Sequence, residues 1–173
     1  MKKRMEEKLE ASIEDFRLPR YDEIPNVGLY LEQTTKYIGE YLEPLQDISI
    51  TSSMISNYVK KKLISNPIKK QYYREQIAYL IFIAIAKTVL SLEHIGLLLE
   101  KQKATYESKV AYNYFCSEFE SIIQQIFGFK AAEDNKELKD SEEKILLRNI
   151  IITIAHKIHL DNYFNNLIID RDQ

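Results

Sequence analysis

The sequence contains few of the residues that interrupt helices. Glycine and proline occur only four times each among 173 residues, whereas leucine, isoleucine, lysine and glutamate are abundant. Sandwiches and barrels need many turns rich in glycine and proline, so the scarcity of both residues argues against those folds. Together with the abundance of good helix formers, it predicts an all-α protein.

Cysteine and long apolar runs are also scarce. The one cysteine, Cys116, has no partner for a disulfide within the chain, so nothing indicates an oxidising compartment. The most apolar stretches, 77–86 and 145–155, are shorter than the ~20 residues that cross a membrane as a helix. The basic residues at positions 2–4 are not followed by the apolar core of a signal peptide. We therefore expect a soluble, cytoplasmic protein with no membrane partner.

Acidic residues are missing from one internal window, 48–74. The chain has a net charge of −2, yet this window contains no Asp or Glu. A patch of one sign on a nearly neutral protein creates a local field to which a polyanion responds. Lysine-rich faces are also often merely solvated, so the window alone leaves both interpretations open. Its basic residues are Lys60, Lys61, Lys62, Lys69, Lys70 and Arg74.

Apolar periodicity and chain breakers divide the chain into three segments. Residues 1–25 contain an amphipathic helix at 4–15 and a connector interrupted by two prolines. Residues 26–102 contain four predicted helices separated by short polar segments, and residues 103–173 contain a helical pair. The predicted helices of the second segment are 26–42, capped by Asn26, then 53–62, 73–87 and 91–101. Those of the third are 105–127, stopped by Gly128, and 142–167.

The helix at 53–62 and the loop or small hairpin after it carry the candidate binding residues. Ile55, Val59 and Leu63 recur every four residues and predict a buried face, which leaves small polar side chains and lysines outside. Such groups approach base edges in a major groove, while the lysines of the segment 63–72 neutralise phosphates beside it. The candidate DNA-binding residues are Ser53, Ser56, Asn57, Tyr58, Lys60, Lys61, Lys69, Lys70, Tyr72 and Arg74.

These candidates differ in the role that we expect of them. Ser56 and Asn57 are the base-reading candidates, because nothing in the helical pattern requires polar residues at their positions. The tyrosines have two open interpretations, since a phenol either donates to a phosphate or packs inside with its hydroxyl at the edge. For Tyr72 the packed position is favoured.

Five short motifs carry a resemblance to a known family. They are Ile55-Ser56-Asn57-Tyr58, Leu63-Ile64 with Pro67, Lys70-Gln71-Tyr72, Ile77-Ala78-Tyr79-Leu80 and Ser91-Leu92-Glu93-His94-Ile95. In this order they resemble the MerR-type winged helix-turn-helix, in which a recognition helix leads into a wing that ends Arg-x-Tyr. The resemblance implies that Ile55 is a core residue, that Lys70 replaces the wing arginine and that Tyr72 closes the wing. Ser56, Asn57 and Lys62 depart from the arginine, tyrosine and glycine of that family.

Two further motifs extend a second resemblance over nearly the whole chain. The segments Leu18-Pro19-Arg20-Tyr21-Asp22-Glu23-Ile24-Pro25 and Met54 to Lys60 are similar to those of a bacterial domain-of-unknown-function family, number 1836. That family implies no established activity beyond suspected DNA binding. The two resemblances imply a winged helix-turn-helix DNA-binding domain at 26–102, with recognition helix 53–62 and wing 63–72, followed by a dimerisation or regulatory region at 103–173.

Signals of catalysis or metal binding are weak. His156 and His159 are three residues apart with Asp161 nearby, but no further ligands follow at a convincing spacing. Cys116 lies in an amphipathic helix and is expected to be a small core residue. The sequence has no glycine-rich phosphate loop, nucleophile elbow or metalloprotease motif. We expect no catalytic residues, no metal and no cofactor, and hence not an enzyme.

Three functional hypotheses remain open. The first is a transcriptional regulator that binds double-stranded DNA as a homodimer through 142–167, because the helix from 145 to 160 is apolar on nearly every side. The second is a non-catalytic protein-interaction or adaptor module on a winged-helix scaffold. The third adds a small-molecule pocket among the C-terminal helices, for which the aromatic segment 106–119 leaves room, with an unknown effector.

Overall fold

A computed structural model describes residues 11–133 and 140–171, and it is built mainly of helices, as predicted. The first helix, α1, is described only at 11–14, so most of the predicted helix at 4–15, with Met5 and Leu9, lies outside the described residues. Single turns of 3-10 helix occur at Tyr21–Glu23 and Glu43–Leu45. The remaining helices are α2 (Leu31–Leu42), α3 (Ser52–Lys60), α4 (Arg74–Ala86), α5 (Leu92–Thr105), α6 (Ser108–Ile126) and α7 (Glu142–Arg171); the strands are β1 (Leu29–Tyr30) and β2 (Gln71–Tyr72).

Helix α4 is the centre of the core. Every residue from Gln76 to Ala86 is buried except Tyr79, which is half-buried. This helix is apolar on all sides because α2, α6 and α7 each pack against it. In the part of the chain that the structure describes, no helix is long and apolar enough to cross a membrane.

Helices α6 and α7 form the predicted helical pair and pack along each other. The apolar residues of α7 that face α6 and α4 are buried: Ile150, Ile151, Ile154, Ala155 and Ile158. Its exposed positions in the same stretch are mostly polar, among them Asn149, Thr153 and His156. Packing within one chain therefore covers most of the all-round apolar surface that the sequence places at 145–160.

The connector before β1 is clamped onto α6. Leu18 and Ile24 are fully buried, and the Tyr112 hydroxyl donates to the Pro19 carbonyl at 2.9 Å. Glu120 is buried and forms an ion pair with Arg20, with 2.6 Å between Oε2 and Nη2, and its Oε1 accepts a hydrogen bond from the Leu18 amide at 3.2 Å. Removing Arg20 would leave the buried Glu120 carboxylate without its counter-charge, so this contact holds the connector against the helical pair.

Several helix boundaries differ from those predicted. Asn26 does not cap α2, which begins at Leu31 after β1, because residues 29–30 pair with β2 instead of continuing the helix backwards. Helix α5 runs on to Thr105, beyond the predicted end at 101. Thr51 and Ser91 cap α3 and α5, since each side-chain hydroxyl accepts a hydrogen bond from the backbone amide three residues on.

Candidate nucleic-acid interface

Helix α3 turns one apolar face inward and one small polar face outward. Thr51 caps it, and Ile55 and Tyr58 are buried while Val59 is half-buried. Predicted as 53–62, the helix is observed one residue earlier and ends at Lys60. The candidates on its outer side are all exposed: Ser53, Ser56, Asn57, Lys60 and Lys61.

The end of α3 is held by two backbone hydrogen bonds that reverse the chain. The Leu63 amide donates to the Tyr58 carbonyl at 3.0 Å, and the Lys62 amide donates to the Val59 carbonyl at 2.9 Å. This is the Schellman arrangement, which requires a left-handed residue and favours glycine there. Here that residue is Lys62, with φ of 60° and an exposed side chain. Lys62 is not among the residues predicted to bind DNA. Its position could have been found from the sequence, because it stands where the MerR-type family has glycine.

A tight hairpin follows, with two lysines at its tip. Ile68 and Gln71 exchange both backbone hydrogen bonds, at 3.0 and 2.9 Å, and enclose Lys69 and Lys70. Both lysines have positive φ, 49° and 64°, as a type I′ turn requires. That turn favours Asn-Gly, because glycine and asparagine tolerate positive φ better than residues with long side chains. Both lysine side chains are exposed, and so is Ile68 beside them.

The hairpin is tied to the body of the protein at its base. Strand β2 pairs antiparallel with β1, with Leu29 opposite Tyr72 and Tyr30 opposite Gln71. The Gln76 side-chain amide donates to the carbonyls of Ser65 and Asn66, both at 3.1 Å. These contacts fix the segment 63–72 (the wing) against α4 and the start of α2.

Three of the sequence candidates are not on this surface. Tyr58 and Tyr72 are 2% and 4% exposed, and burial raises the pKa of both phenols because the charged form loses its water. Arg74 is half-buried and donates to the carbonyls of Ile24 and Asp22, at 2.8 and 3.2 Å. Long-range packing decided these positions, so we correct the set by removing Tyr58, Tyr72 and Arg74.

The two ends of α3 differ in charge. At its start, the Ser52 hydroxyl donates to the Glu32 carboxylate at 3.2 Å and lies 3.1 Å from the Thr35 hydroxyl. At its end, Lys60, Lys61 and Lys62 are exposed. The interface therefore offers cations at the end of α3 and at the wing tip, and a carboxylate at the opposite end.

The histidines and the cysteine lie apart from this surface. His156 and His159 are exposed on α7, and the His159 ring contacts the edge of Phe127 at 5.0 Å between centroids. Within residues 11–133 and 140–171, no three His, Cys, Asp or Glu side chains are grouped so as to hold a metal ion. Cys116 is a core residue, as predicted, and burial raises the pKa of its thiol to about 12.

Comparison with known proteins gives one match. A family model described as a domain of unknown function (DUF1836) matches residues 19–115, more than half of the chain. The match covers most of the connector, α2 to α5, the wing and the first part of α6. No curated protein and no solved structure matches the chain.

Proposed function

The chain belongs to the DUF1836 family, and because that description assigns no activity, we propose its function from the geometry. The protein is a non-enzymatic transcriptional regulator whose residues 26–102 form a MerR-like winged helix-turn-helix. Helix α3 enters the major groove of double-stranded DNA, where Ser53, Ser56 and Asn57 meet base edges. Its final lysines and the wing lysines neutralise phosphates on either side.

One observation carries this proposal: three exposed lysines occupy left-handed backbone positions. Lys62, Lys69 and Lys70 lie where the local geometry favours glycine or asparagine. An L-residue with a long side chain in that conformation costs about 1 kcal/mol or more, and such strain concentrates at functional sites. Lysine at these positions contributes no core contact, because all three side chains are exposed. A contact between these positive charges and a binding partner explains why lysine stands at these positions.

The topology supports the same assignment. A short strand precedes α2, α3 follows it, and a hairpin then returns to pair with that strand before α4 begins. This order places the wing beside the two-helix unit. The connection between α2 and α3, residues 43–51, contains a 3-10 turn and is longer than the short turn of a simple helix-turn-helix.

The test is fluorescence anisotropy of the full chain on duplex fragments from its own upstream region, titrated across salt. Replacing three window lysines by glutamine removes up to three phosphate contacts. We expect the slope of log K against log salt to fall by about 2 to 3, with affinity down more than about tenfold at moderate salt. The variant is Lys60→Gln, Lys61→Gln and Lys70→Gln, all at exposed positions.

A matched variant controls for overall charge. It replaces three exposed lysines outside the window, with the same change in net charge, and should bind DNA with a nearly unchanged slope. Equal losses in the two variants, or no salt-dependent binding by the unmodified chain, would reject the proposed interface. The control is Lys103→Gln, Lys109→Gln and Lys130→Gln.

We propose further that the protein is a homodimer through the end of α7. Five apolar side chains there follow the i, i+3, i+4, i+7, i+8 spacing of one helix face and are 40 to 57% exposed. The opposite, polar face turns toward the body, where the Asn165 side chain donates to Asp47 at 3.0 Å. A helix with its apolar face in water fits a second copy of the same helix, and a dimer joins two DNA half-sites. We call these five side chains the stripe; they are Leu160, Tyr163, Phe164, Leu167 and Ile168.

A second candidate function is the adaptor module. The exposed apolar side chain of Ile68 at the wing tip and the Glu32 carboxylate at the start of α3 favour it. Neither feature suits a phosphate backbone, whereas both suit a protein partner. Absence of DNA binding at low salt by a folded protein would select this function.

A further inference from the structure

A cavity of about 220 Å³ lies where α4, α5, α6 and α7 meet. Its walls are almost entirely apolar, with Phe82 of α4, Leu98 of α5, Phe115 of α6 and Leu147 of α7 among them. An apolar cavity of about 150 Å³ is large enough for benzene and stays dry without it. The volume here therefore accommodates a substituted aromatic ring or two fused rings.

The tyrosines around the cavity have their hydroxyl groups occupied by the protein. The Tyr79 hydroxyl donates to Gln102 Oε1 at 3.1 Å and lies 2.8 Å from the Ser108 hydroxyl, and Tyr106 lies 2.8 Å from the Ser141 hydroxyl. The Tyr114 hydroxyl accepts from Arg148 at 3.4 Å. The walls consequently offer ring and methyl surfaces rather than free hydrogen-bonding groups. Such walls favour an aromatic ligand over water as the occupant of the cavity.

Two lysines line the rim of the cavity, and among the described residues one of them, Lys101, is paired with carboxylates. Lys101 lies 3.4 Å from Glu142 and 3.6 Å from Glu143, so its charge is paired. Lys144 also lines the cavity, is half-buried, and has its ammonium 5.2 Å from the centre of the Tyr114 ring. Among the described residues no carboxylate forms an ion pair with it. A lysine ammonium at the rim of an aromatic cavity suits an anionic group at the end of an apolar ligand.

We propose that this cavity is a binding site for a planar aromatic carboxylate of one or two rings. The rings lie between α4 and α6, and the carboxylate reaches the ammonium of Lys144 at the rim. This site is separate from the candidate nucleic-acid interface and does not depend on DNA binding. It also does not depend on the dimer, because one chain supplies all of its walls.

The test is isothermal titration of the full chain with 2-naphthoate and with its neutral counterpart, 2-naphthalenemethanol. We expect one naphthoate per chain, bound about tenfold more tightly than the alcohol because of the charge-assisted contact. Lys144→Gln should lower the affinity for naphthoate to that for the alcohol and leave the alcohol unchanged. Lys36→Gln, which removes an exposed lysine of α2 outside the cavity, should change neither.

A second pair of variants tests the place of binding without touching a charge. Ala111 lines the cavity, so Ala111→Leu fills part of it and should lower the affinity for both compounds at least about tenfold while the melting temperature stays equal or rises. Ala104→Leu adds the same atoms at an exposed position of α5 and should have no effect. Absence of saturable binding, equal affinity for the acid and the alcohol, or binding unaffected by Ala111→Leu would overturn the proposal. All of these measurements are made without DNA, so their outcome is independent of the proposed regulator function.

Discussion

At the scale of single residues, the amino acids at the wing tip conflict with the backbone conformation that they adopt. Lys69 and Lys70 lie at the two central positions of a type I′ turn, where glycine and asparagine are the favoured residues. A sequence with Asn-Gly there would have predicted a hairpin directly. Lys-Lys gives no such signal, so the sequence predicts either a loop or a small hairpin for this segment. The backbone pairing of Ile68 with Gln71 shows that it is a hairpin.

A variant that removes this conflict should change stability and DNA affinity in opposite directions. Lys69→Asn with Lys70→Gly relieves the left-handed strain and should raise the free energy of unfolding by about 1 kcal/mol in urea titrations. The same change removes two of the proposed phosphate contacts, so the affinity for DNA should fall and the salt slope should decrease by up to about 2.

The control for this variant keeps the charge and the strain. Lys69→Arg with Lys70→Arg should leave the unfolding midpoint and the salt slope close to those of the unmodified chain. A stabilised Asn-Gly variant that binds DNA as well as the unmodified chain would show that the wing tip does not contact the duplex.

At the scale of elements, the wing is positioned by a strand pair that joins distant parts of the chain. Residues 29–30 belong to a predicted helix by periodicity, but they form β1 because β2 supplies a hydrogen-bonding partner. Gly28 lies directly before this pair, against the side chain of Gln71. A Cβ at Gly28 would lie 2.8 Å from the Cβ of Gln71, which is closer than such atoms approach.

Gly28→Ala should therefore weaken the wing. The crowding forces β1 and β2 apart, and we expect a loss of about 1 to 2 kcal/mol in the free energy of unfolding together with weaker DNA binding. Gly39→Ala, within α2, is the matched control, because nothing beyond the neighbouring backbone of α2 itself lies within 4 Å of the added Cβ. Alanine is the better helix former, so the control should gain up to about 1 kcal/mol. If both variants are stabilised and both bind DNA normally, the close contact of Gly28 with the wing has no structural role.

At the scale of the whole molecule, α7 combines a buried half with a half whose apolar side faces water. Its first part supplies buried residues to the core from Ile150 to Ile158, whereas the stripe that begins at Leu160 has no cover within the described chain. The sequence predicted a dimer helix from the all-round apolar character of 145–160. Packing against α6 accounts for most of that stretch, and the exposed stripe lies further along the helix.

Charges placed in the stripe should dissociate the proposed dimer without unfolding the chain. Phe164→Lys with Ile168→Lys should convert a particle of twice the 20.4 kDa chain mass into a monomer in size-exclusion light scattering. Both side chains are already more than half exposed, so the monomer loses little core packing and its far-UV circular dichroism should be unchanged. DNA affinity should fall more than about tenfold, because the second half-site is no longer linked.

Asn149→Lys tests whether any added charge on α7 has this effect. Asn149 is exposed on the same helix but outside the stripe, so this variant should keep the mass of the unmodified protein. A monomeric mass for the unmodified chain at micromolar concentration would reject the dimer itself.

The sequence by itself determined the features that depend on neighbouring residues. Helix formation follows from local propensity, and the caps Thr51 and Ser91 and the stop at Gly128 act within one turn of their own position. The outward position of Ser56 and Asn57 also follows from periodicity alone. These features can be predicted without knowing which residues pack against them in the core.

The tertiary structure decided the features that depend on partners far along the chain. Tyr58 and Tyr72 are core residues, and Arg74 is held by carbonyls of the connector, although each is locally compatible with a DNA contact. The cavity exists because four helices leave a space that none of them defines alone. Burial is a property of the whole packing arrangement rather than of spacing. The sequence therefore left Tyr58 open between a packed position and a phosphate contact, and it placed Arg74 on the DNA-binding surface.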